Sequence, residues 1–130
     1  YPKVDTALIT VAGAANKVTK WFPIRDERIH EGDRVAVLGY SVMPFGSAAF
    51  TQMNGEVRST ALDYSGDVTS FQMTVPPARG LSGAPVIDAD GLLVGIVVGY
   101  SGDLAAGEPV YHHALPVRYL AAIQAPTQAS

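Results

Sequence analysis

Residues 84–98 read APVIDADGLLVGIVV, two short apolar runs with a turn between them. The runs Ala84–Asp88 and Leu92–Val98 are rich in β-branched residues, and Ala89-Asp90-Gly91 separates them with turn-forming residues. Two such runs joined by a short, glycine-containing turn predict a β-hairpin. The hairpin indicates a chain built from short strands that follow one another directly.

Other strands predicted on the same grounds lie on both sides of the hairpin. They are Val4–Val11, Arg34–Tyr40, Ala48–Met53, Glu56–Thr60, Ser70–Val75 and Val110–Leu115. Asn54-Gly55 is either a hairpin turn between two of them or a bend within one longer strand. The one predicted helix is Pro116–Gln124, because proline suits the first helical position. Strands separated by turns, with no helices between them, predict an all-β barrel or sandwich.

The composition fits one folded domain and excludes several classes of function. The chain has 130 residues, of which 48% are hydrophobic and 16% are charged, a balance opposite to that of disordered chains. The formal net charge of −3 leaves no basic excess for binding nucleic acid. The chain has no cysteine, which rules out a disulfide scaffold, a thiol nucleophile and a thiolate metal site. The adjacent His112 and His113 point to opposite faces of a predicted strand, so no metal and no other cofactor is expected.

One stretch, Gly80-Leu81-Ser82-Gly83-Ala84-Pro85, places a serine on a tight turn between glycines. Glycine has no Cβ, so the backbone amides of such a turn can point outward at a ligand. The amides of Gly80 and Ser82 can then converge on one point, as an oxyanion hole requires. Taken alone, the pattern also fits an ordinary glycine–serine turn.

The sequence around this turn resembles the trypsin-like (chymotrypsin-fold) serine peptidases, and most closely their bacterial HtrA-type branch. The stretches that resemble family segments occur in the family's order. They are DTALI at 5–9, EGDRVAVLGY at 31–40, FQ at 71–72, GLSGAPVID at 80–88, GLLVGIV at 91–97 and the closing segment at 107–124. The resemblance covers most of the chain. It implies an antiparallel Greek-key β-barrel with a short C-terminal α-helix.

The resemblance also implies roles for individual residues. Ser82 matches the nucleophile, and the amides of Gly80 and Ser82 match the oxyanion hole. Asp5 matches the acid that orients the histidine base. The strand that pairs with the substrate backbone and walls the pocket for its side chain is matched by Val97, Val98 and Gly99. The implied activity is that of an endopeptidase, which hydrolyses peptide or protein substrates through an acyl-enzyme at Ser82.

The family's histidine base has no counterpart in this sequence. In the family it lies upstream of the aspartate, on the first of two barrels, and only four residues precede Asp5. We therefore expect residues 1–124 to be the second barrel and 125–130 a tail, with a missing N-terminal barrel as the partner that carries the histidine. A serine hydroxyl without a base is a poor nucleophile, so the isolated chain is expected to be inactive. The alternative is an inactive peptidase-like domain that binds extended peptides along the same strand.

The pocket for the substrate side chain is expected to be apolar. In the family that the sequence resembles, residues shortly before the nucleophile form the floor of this pocket. The corresponding residues 75–77 contain no carboxylate, which disfavours Arg or Lys in the substrate. Val97, Val98 and Tyr111 favour a small or medium apolar side chain. One of the two adjacent histidines faces inward and would line the pocket, and His113 is the candidate.

Removal of a neighbouring barrel would expose an apolar contact surface. Such a surface drives association, so the isolated chain is expected to self-associate. The branch that the sequence resembles is often exported, which favours an extracytoplasmic location.

Overall fold

The computed structural model describes residues 7, 9, 11–13, 16–18, 20–42, 46, 48–76, 78–102 and 104–118. This part of the chain contains six β-strands and one short 3₁₀ turn. The strands are β1 (Arg34–Val42), β2 (Ala48–Leu62), β3 (Val68–Met73), β4 (Pro85–Asp88), β5 (Leu93–Ser101) and β6 (Tyr111–Pro116), with the 3₁₀ turn at Leu104–Ala106. None of the described segments forms a helix long and apolar enough to cross a bilayer.

The strands form a closed barrel in the order β1-β2-β3-β6-β5-β4. Every neighbouring pair is antiparallel, and the β4–β5 pair is the hairpin predicted from residues 84–98. The prediction of an all-β antiparallel barrel is therefore confirmed.

Apolar side chains that alternate along the strands fill the interior of the barrel. The largest fully buried side chains are Phe71, Met73, Leu81, His112, Val37, Val75, Val86 and Val97. Burying each large apolar side chain contributes about 1.5–3 kcal/mol to stability. One of the eight, Leu81, belongs to the loop that carries Ser82, so the barrel core holds this loop in place.

Asn54-Gly55 lies inside β2, which runs as one strand from residue 48 to residue 62. The two residues pair with Ala36 and Val35 of β1, so no hairpin turn is formed there. A Cβ atom on Gly55 would lie 2.9 Å from the backbone nitrogen of Val75. The glycine therefore allows the chain after β3 to pass close to β2, which settles the open alternative in favour of a single strand.

The ends of the chain limit two other predictions. Strand β6 extends through Pro116, so a helix cannot begin before Val117, and most of the predicted helix Pro116–Gln124 lies outside the described residues. Most of the predicted strand Val4–Val11 also lies outside them. The tail at 125–130 lies wholly outside.

The segment before β1 is attached to the far end of the barrel from Val42. The backbone nitrogen of Leu93 donates to the carbonyl of Pro23 at 2.7 Å, and that of Arg25 donates to the carbonyl of Leu93 at 3.0 Å. The guanidinium of Arg25 lies between the carboxylates of Asp33, at 3.1 Å, and Asp88, at 3.4 Å. Hydrogen bonds and ion pairs together hold this segment against the β4–β5 hairpin.

Candidate active site

The loop that carries Ser82 has two glycines in the left-handed region of backbone space. Gly80 has φ +88° and Gly83 has φ +87°, values that cost other residues roughly 1–2 kcal/mol. A Cβ atom on Gly80 would also lie 3.0 Å from the carbonyl oxygen of Tyr40 and 3.0 Å from Cγ2 of Val42. The conformation of this loop therefore requires glycine at position 80.

Both ends of the loop are hydrogen-bonded to the barrel. The amide of Val42 donates to the carbonyl of Arg79 at 2.9 Å, which ties the loop to the end of β1. The amide of Gly83 donates to the carbonyl of Val97 at 2.6 Å, which ties it to β5. Leu81 is 1% exposed, whereas Ser82 is exposed. The fold thus presents the Ser82 hydroxyl at the tip of an anchored loop.

Several backbone donors of the loop have no partner in the described part of the chain, and the amides of Gly80 and Ser82 are among them. The amides of Gly80 and Ser82 donate no hydrogen bond there, although the amide of Ala84 closes a turn on the carbonyl of Leu81 at 2.9 Å. Because the loop is exposed, water can satisfy these donors when no ligand is present. Chemically, a free pair of amides beside a hydroxyl is suited to stabilise a negatively charged oxygen.

Ser82 lies between two clefts. One, of about 470 Å³, is lined by Phe22, Leu38, Tyr40, Phe50, Gly80 and Pro85 among others. The other, of about 460 Å³, is lined by Ala7, Ile9, Gly83, Ile96, Val97 and Val98. A chain that passes over the serine therefore has a cleft on each side of it.

The strand predicted to wall the substrate pocket is β5, and its three predicted residues differ in position. Val97 is 1% exposed and belongs to the core. Val98 lies at a register shift between β5 and β6, and Gly99 pairs with His113 after it. Pairing between β4 and β5 ends at Pro85 and Ile96, and Val97 still exchanges hydrogen bonds with Gly83 and Ala84. In the described part of the chain, the residues of β5 after Val97 have a strand on one side only.

The inward-facing histidine of β6 is His112. It is 1% exposed, its Nε2 accepts a hydrogen bond from the amide of Ala78 at 3.2 Å, and its ring meets Tyr100 edge-on at 5.7 Å. Burial lowers the pKa of His112 below its ordinary value of 6.5, and the main-chain carbonyls of Gly99 and Pro76 offset part of the effect. The ring is therefore neutral near pH 7. Because Nε2 accepts, the proton lies on Nδ1, which is buried without a hydrogen-bond partner.

His113 and Tyr111 lie on the outer face of β6, so the expectation that His113 faces inward is wrong. Burial alternates along this strand, with Tyr111 and His113 half-buried on either side of His112. His113 hydrogen-bonds the hydroxyl of Ser101, and the ring of Tyr111 lies 4.3 Å from the Arg58 guanidinium carbon. When two histidines are adjacent in a strand, the sequence does not show which of them faces the barrel interior, since the two chemically identical residues alternate between the faces.

None of the described histidines hydrogen-bonds Ser82. His30 is exposed, and its backbone amide bonds the carboxylate of Asp33 at 2.9 Å. His112 bonds Ala78, and His113 bonds Ser101. Asp5 lies outside the described residues, so its predicted role stays a prediction. Ala7, two residues further along, lines the cleft beside Ser82.

Two aromatic side chains near the serine, Tyr40 and Phe50, were not predicted from the sequence. Tyr40 and Phe50 face each other across β1 and β2, with ring centroids 5.7 Å apart and an interplanar angle of 73°. The signal that could have found them is the register of the two strands. It depends on the loop between Val42 and Ala48, whose length alone does not determine it.

A further surface cavity, larger than either cleft beside Ser82, does not contain the serine. It has a volume of about 740 Å³ and is lined by Arg34, Asn54, Glu56, Thr74 and Asp88 among others. These residues surround the start of β1, whereas the Ser82 loop is tied to the other end of β1 at Val42. The larger cavity therefore lies apart from the candidate site at Ser82.

Solved structures of other proteins share the fold of this chain. The solved structures include an inactive mutant form of Rv3671c from M. tuberculosis, with a TM-score of 0.61 and 23% identity over 78% of this chain and 50% of that one. They also include the protease domain of MamO from Magnetospirillum magneticum, with a TM-score of 0.55 and 18% identity over 77% of this chain and 51% of that one. The chain thus spans about half the length of these structures.

Sequence comparison identifies the family. A search of curated proteins finds no match. The family model described as a trypsin-like peptidase domain matches residues 1–96, which include the Ser82 loop and the first half of the β4–β5 hairpin. The chain belongs to the trypsin-like peptidase family.

Proposed function

We propose that this chain is the nucleophile-bearing second barrel of a serine endopeptidase, and that Ser82 forms the acyl-enzyme. The observation that carries the proposal is the exposed Ser82 on a loop whose amides at Gly80 and Ser82 donate no hydrogen bond in the described part of the chain. An ordinary tight turn uses its amides within the turn, as the β4–β5 turn does. Membership of the HtrA-type branch remains part of the prediction.

The reaction follows from these groups. A histidine base supplied by the missing N-terminal barrel takes the proton of the Ser82 hydroxyl, and Oγ bonds to the carbonyl carbon of the substrate. The amides of Gly80 and Ser82 stabilise the resulting oxyanion. The carbon–nitrogen bond then breaks, the amine leaves with the proton from the base, and water hydrolyses the ester.

The cleft lined by Ala7, Gly83, Val97 and Val98 is the proposed place for the base. It opens directly beside Ser82. Ala7 lies two residues after Asp5, the proposed orienting acid. A base in this cleft would be within reach of both the serine and the segment that carries the aspartate.

Exposed apolar residues support a missing partner barrel. Ile9 is 79% exposed and Trp21 is 76% exposed, values that favour burial against another surface. We expect the isolated chain to dimerise or exchange segments through this surface. Light scattering on the isolated chain at high concentration measures the mass, and a monomer there contradicts the expectation.

Peptide cleavage by the intact protein tests the proposed function. The intact protein is incubated with a mixed peptide library, and new termini are identified by mass spectrometry. We expect cleavage that Ser82→Ala abolishes and Ser65→Ala, an exposed serine in another turn, leaves unchanged. Cleavage that survives Ser82→Ala overturns the proposal.

A second candidate function is peptide binding without hydrolysis. It is favoured by the side of β5 that has no strand partner after Val97 and by the lack of a described histidine bonded to Ser82. An extended peptide can add to such a strand through main-chain hydrogen bonds. If the intact protein binds library peptides and cleaves none, this second function replaces the first.

A further inference from the structure

The main chain that leads into the Ser82 loop is poor in hydrogen-bond donors. Residues 75–78 read Val-Pro-Pro-Ala, and proline has no amide hydrogen. The amide of Ala78 is therefore the first main-chain donor after that of Val75. Ala78 is half-buried and packs against the barrel core, so its amide needs an acceptor within the protein. That acceptor is Nε2 of His112, at 3.2 Å.

The peptide group that carries the proposed oxyanion donor follows closely, since Gly80 lies two residues after Ala78. The carbonyl of Arg79 and the N–H of Gly80 belong to one planar trans peptide unit and point in opposite directions. The amide of Val42 donates to this carbonyl at 2.9 Å, so it also fixes where the Gly80 N–H points. The hydrogen bonds to His112 and Val42 together anchor the chain just before the nucleophile.

The barrel wall holds the His112 ring in place. The residue lies on β6, where it pairs with Met73 of β3 on one side and with Tyr100 of β5 on the other. Its side chain is 1% exposed, and its ring meets the Tyr100 ring edge-on at 5.7 Å. The imidazole therefore offers the loop a fixed acceptor from inside the barrel.

An imidazole nitrogen accepts a hydrogen bond only while the ring is neutral. Both nitrogens of a protonated ring are donors, so Nε2 would then face the loop amide donor to donor. The titratable groups next to His112 are Tyr100 on β5 and His113 on β6, whereas β3 contributes the uncharged Met73 and Arg79 of the loop is exposed. In the described part of the chain, no carboxylate forms an ion pair with His112.

The buried ring can still take up a proton in acid. Burial disfavours its charged form and holds the pKa of His112 below 6.5, whereas the main-chain carbonyls of Gly99 and Pro76 favour the charged form. These carbonyls can accept from a ring that no longer accepts from the loop. The proton is therefore taken up on the acid side of pH 6.5, at the expense of the hydrogen bond to Ala78.

We infer that His112 is a positioning residue for Ser82: its neutral ring holds the Ala78 amide and thereby the loop, and protonation of the ring releases that amide. The inference rests on the proposed function, because it needs a reactive Ser82. It adds a second protonation to that of the catalytic base. In acid, the logarithm of the acylation rate should therefore fall with a slope approaching about two per pH unit, where the base alone gives about one.

The pH profile of covalent labelling tests this inference. The intact protein reacts with a fluorophosphonate at a series of pH values over which circular dichroism shows that it is folded. Ser82 Oγ bonds to phosphorus, fluoride leaves, and the hydroxyl proton passes to the base. Mass spectrometry at successive times gives the rate constant for labelling of Ser82 at each pH.

Three variants separate the acceptor from the proton. His112→Leu removes the acceptor and keeps apolar bulk, so labelling should slow about 10–100-fold at neutral pH. His112→Gln supplies an amide oxygen that accepts without titrating, so it should recover most of that rate at neutral pH and show a slope of about one in acid. The exposed His30→Gln is the matched control and should keep both the rate and the slope of the wild type.

The outcomes separate the inference from the proposed function. If Ser82 is labelled but the wild type and His112→Gln have the same slope in acid, the inference is overturned and the proposed function stands. Labelling of a folded His112→Leu at the wild-type rate overturns it as well. If His112→Leu does not fold, the slope of His112→Gln decides alone. If Ser82 of the wild type is not labelled at any pH, the proposed function fails and the inference fails with it.

Discussion

Strand β4 has a glycine-containing turn at each end, and the two turns use their backbone amides in opposite ways. In the turn after β4, the Asp88 carboxylate accepts hydrogen bonds from the amides of Asp90 and Leu92, both at 2.9 Å. The Gly91 amide donates to the Asp88 carbonyl at 3.1 Å. In the loop before β4, the amides of Gly80 and Ser82 have no partner in the described part of the chain.

The comparison separates a turn that stabilises the fold from a loop that is available to a ligand. Gly91 has φ +80° and Gly80 has φ +88°, so similar backbone strain would be imposed on any replacement. What differs is the acceptor. Asp88 supplies one inside its own turn, whereas the Ser82 loop contains no carboxylate and leaves its donors for an outside oxygen.

The largest expected effect comes from replacing the glycine of each turn with alanine. Gly80→Ala should lower kcat of the intact protein about 10²–10³-fold, because the shifted loop no longer aims its amides at the oxyanion. Gly91→Ala is the control for the backbone strain alone, because its Cβ atom meets nothing within 4 Å, and it should cost about 1–2 kcal/mol of stability with kcat unchanged. Steady-state kinetics and urea unfolding on both variants measure the two effects. Equal losses of kcat in the two variants would contradict the account.

The next effect concerns the stabilising turn. Asp88→Ala removes the acceptor of two amides and a partner of the part-buried Arg25, and should lower the free energy of unfolding by about 2–4 kcal/mol. Asp90→Ala changes an exposed residue of the same turn and should alter stability by about 0.5 kcal/mol or less. Urea denaturation compares them. Similar urea midpoints for the two variants would show that the Asp88 side chain does not stabilise the turn.

The smallest effect is pH-dependent and involves His112. Because its pKa is lowered in the folded barrel, the unfolded chain takes up the proton more readily, and stability should fall as pH drops below about 6.5. The slope from one histidine is at most about 1.4 kcal/mol per pH unit, and above pH 6.5 the contribution is absent.

His112→Gln tests this pH dependence, since glutamine can still accept from the Ala78 amide. Its stability should change less than that of the wild type between pH 6.5 and the acid range. The exposed His30→Gln is the control and should follow the wild type. A wild-type slope that persists in His112→Gln assigns the effect to other groups.

Local patterns in the sequence were sufficient to predict the all-β class and the β4–β5 hairpin, whereas the choice of a barrel over a sandwich rested on the family resemblance. Alternating β-branched residues and the Ala89-Asp90-Gly91 turn act over a few residues, so they can be recognised without the tertiary structure. The continuous β2 strand was left open because Asn54-Gly55 fits a turn as well as a strand. Contact with Val75, far along the chain, decides between them.

The candidate site was only partly predictable for the same reason. The exposed Ser82 between glycines follows from local sequence, and the structure places it where a ligand can reach it. The inward position of His112 depends on which residues of β6 face the barrel interior. The pairing of Tyr40 with Phe50 depends on the register between β1 and β2. Both are set by the closure of the whole barrel.

The most direct test of the central claim is covalent labelling of the intact protein with a fluorophosphonate. The Ser82 Oγ should attack phosphorus and displace fluoride, because the base and the two amides activate it as they would for a peptide. Peptide mass spectrometry should find the adduct on Ser82, and Ser82→Ala should remove it. An unlabelled Ser82, or labelling that is unchanged in Ser82→Ala, would contradict the assignment of this residue as the nucleophile.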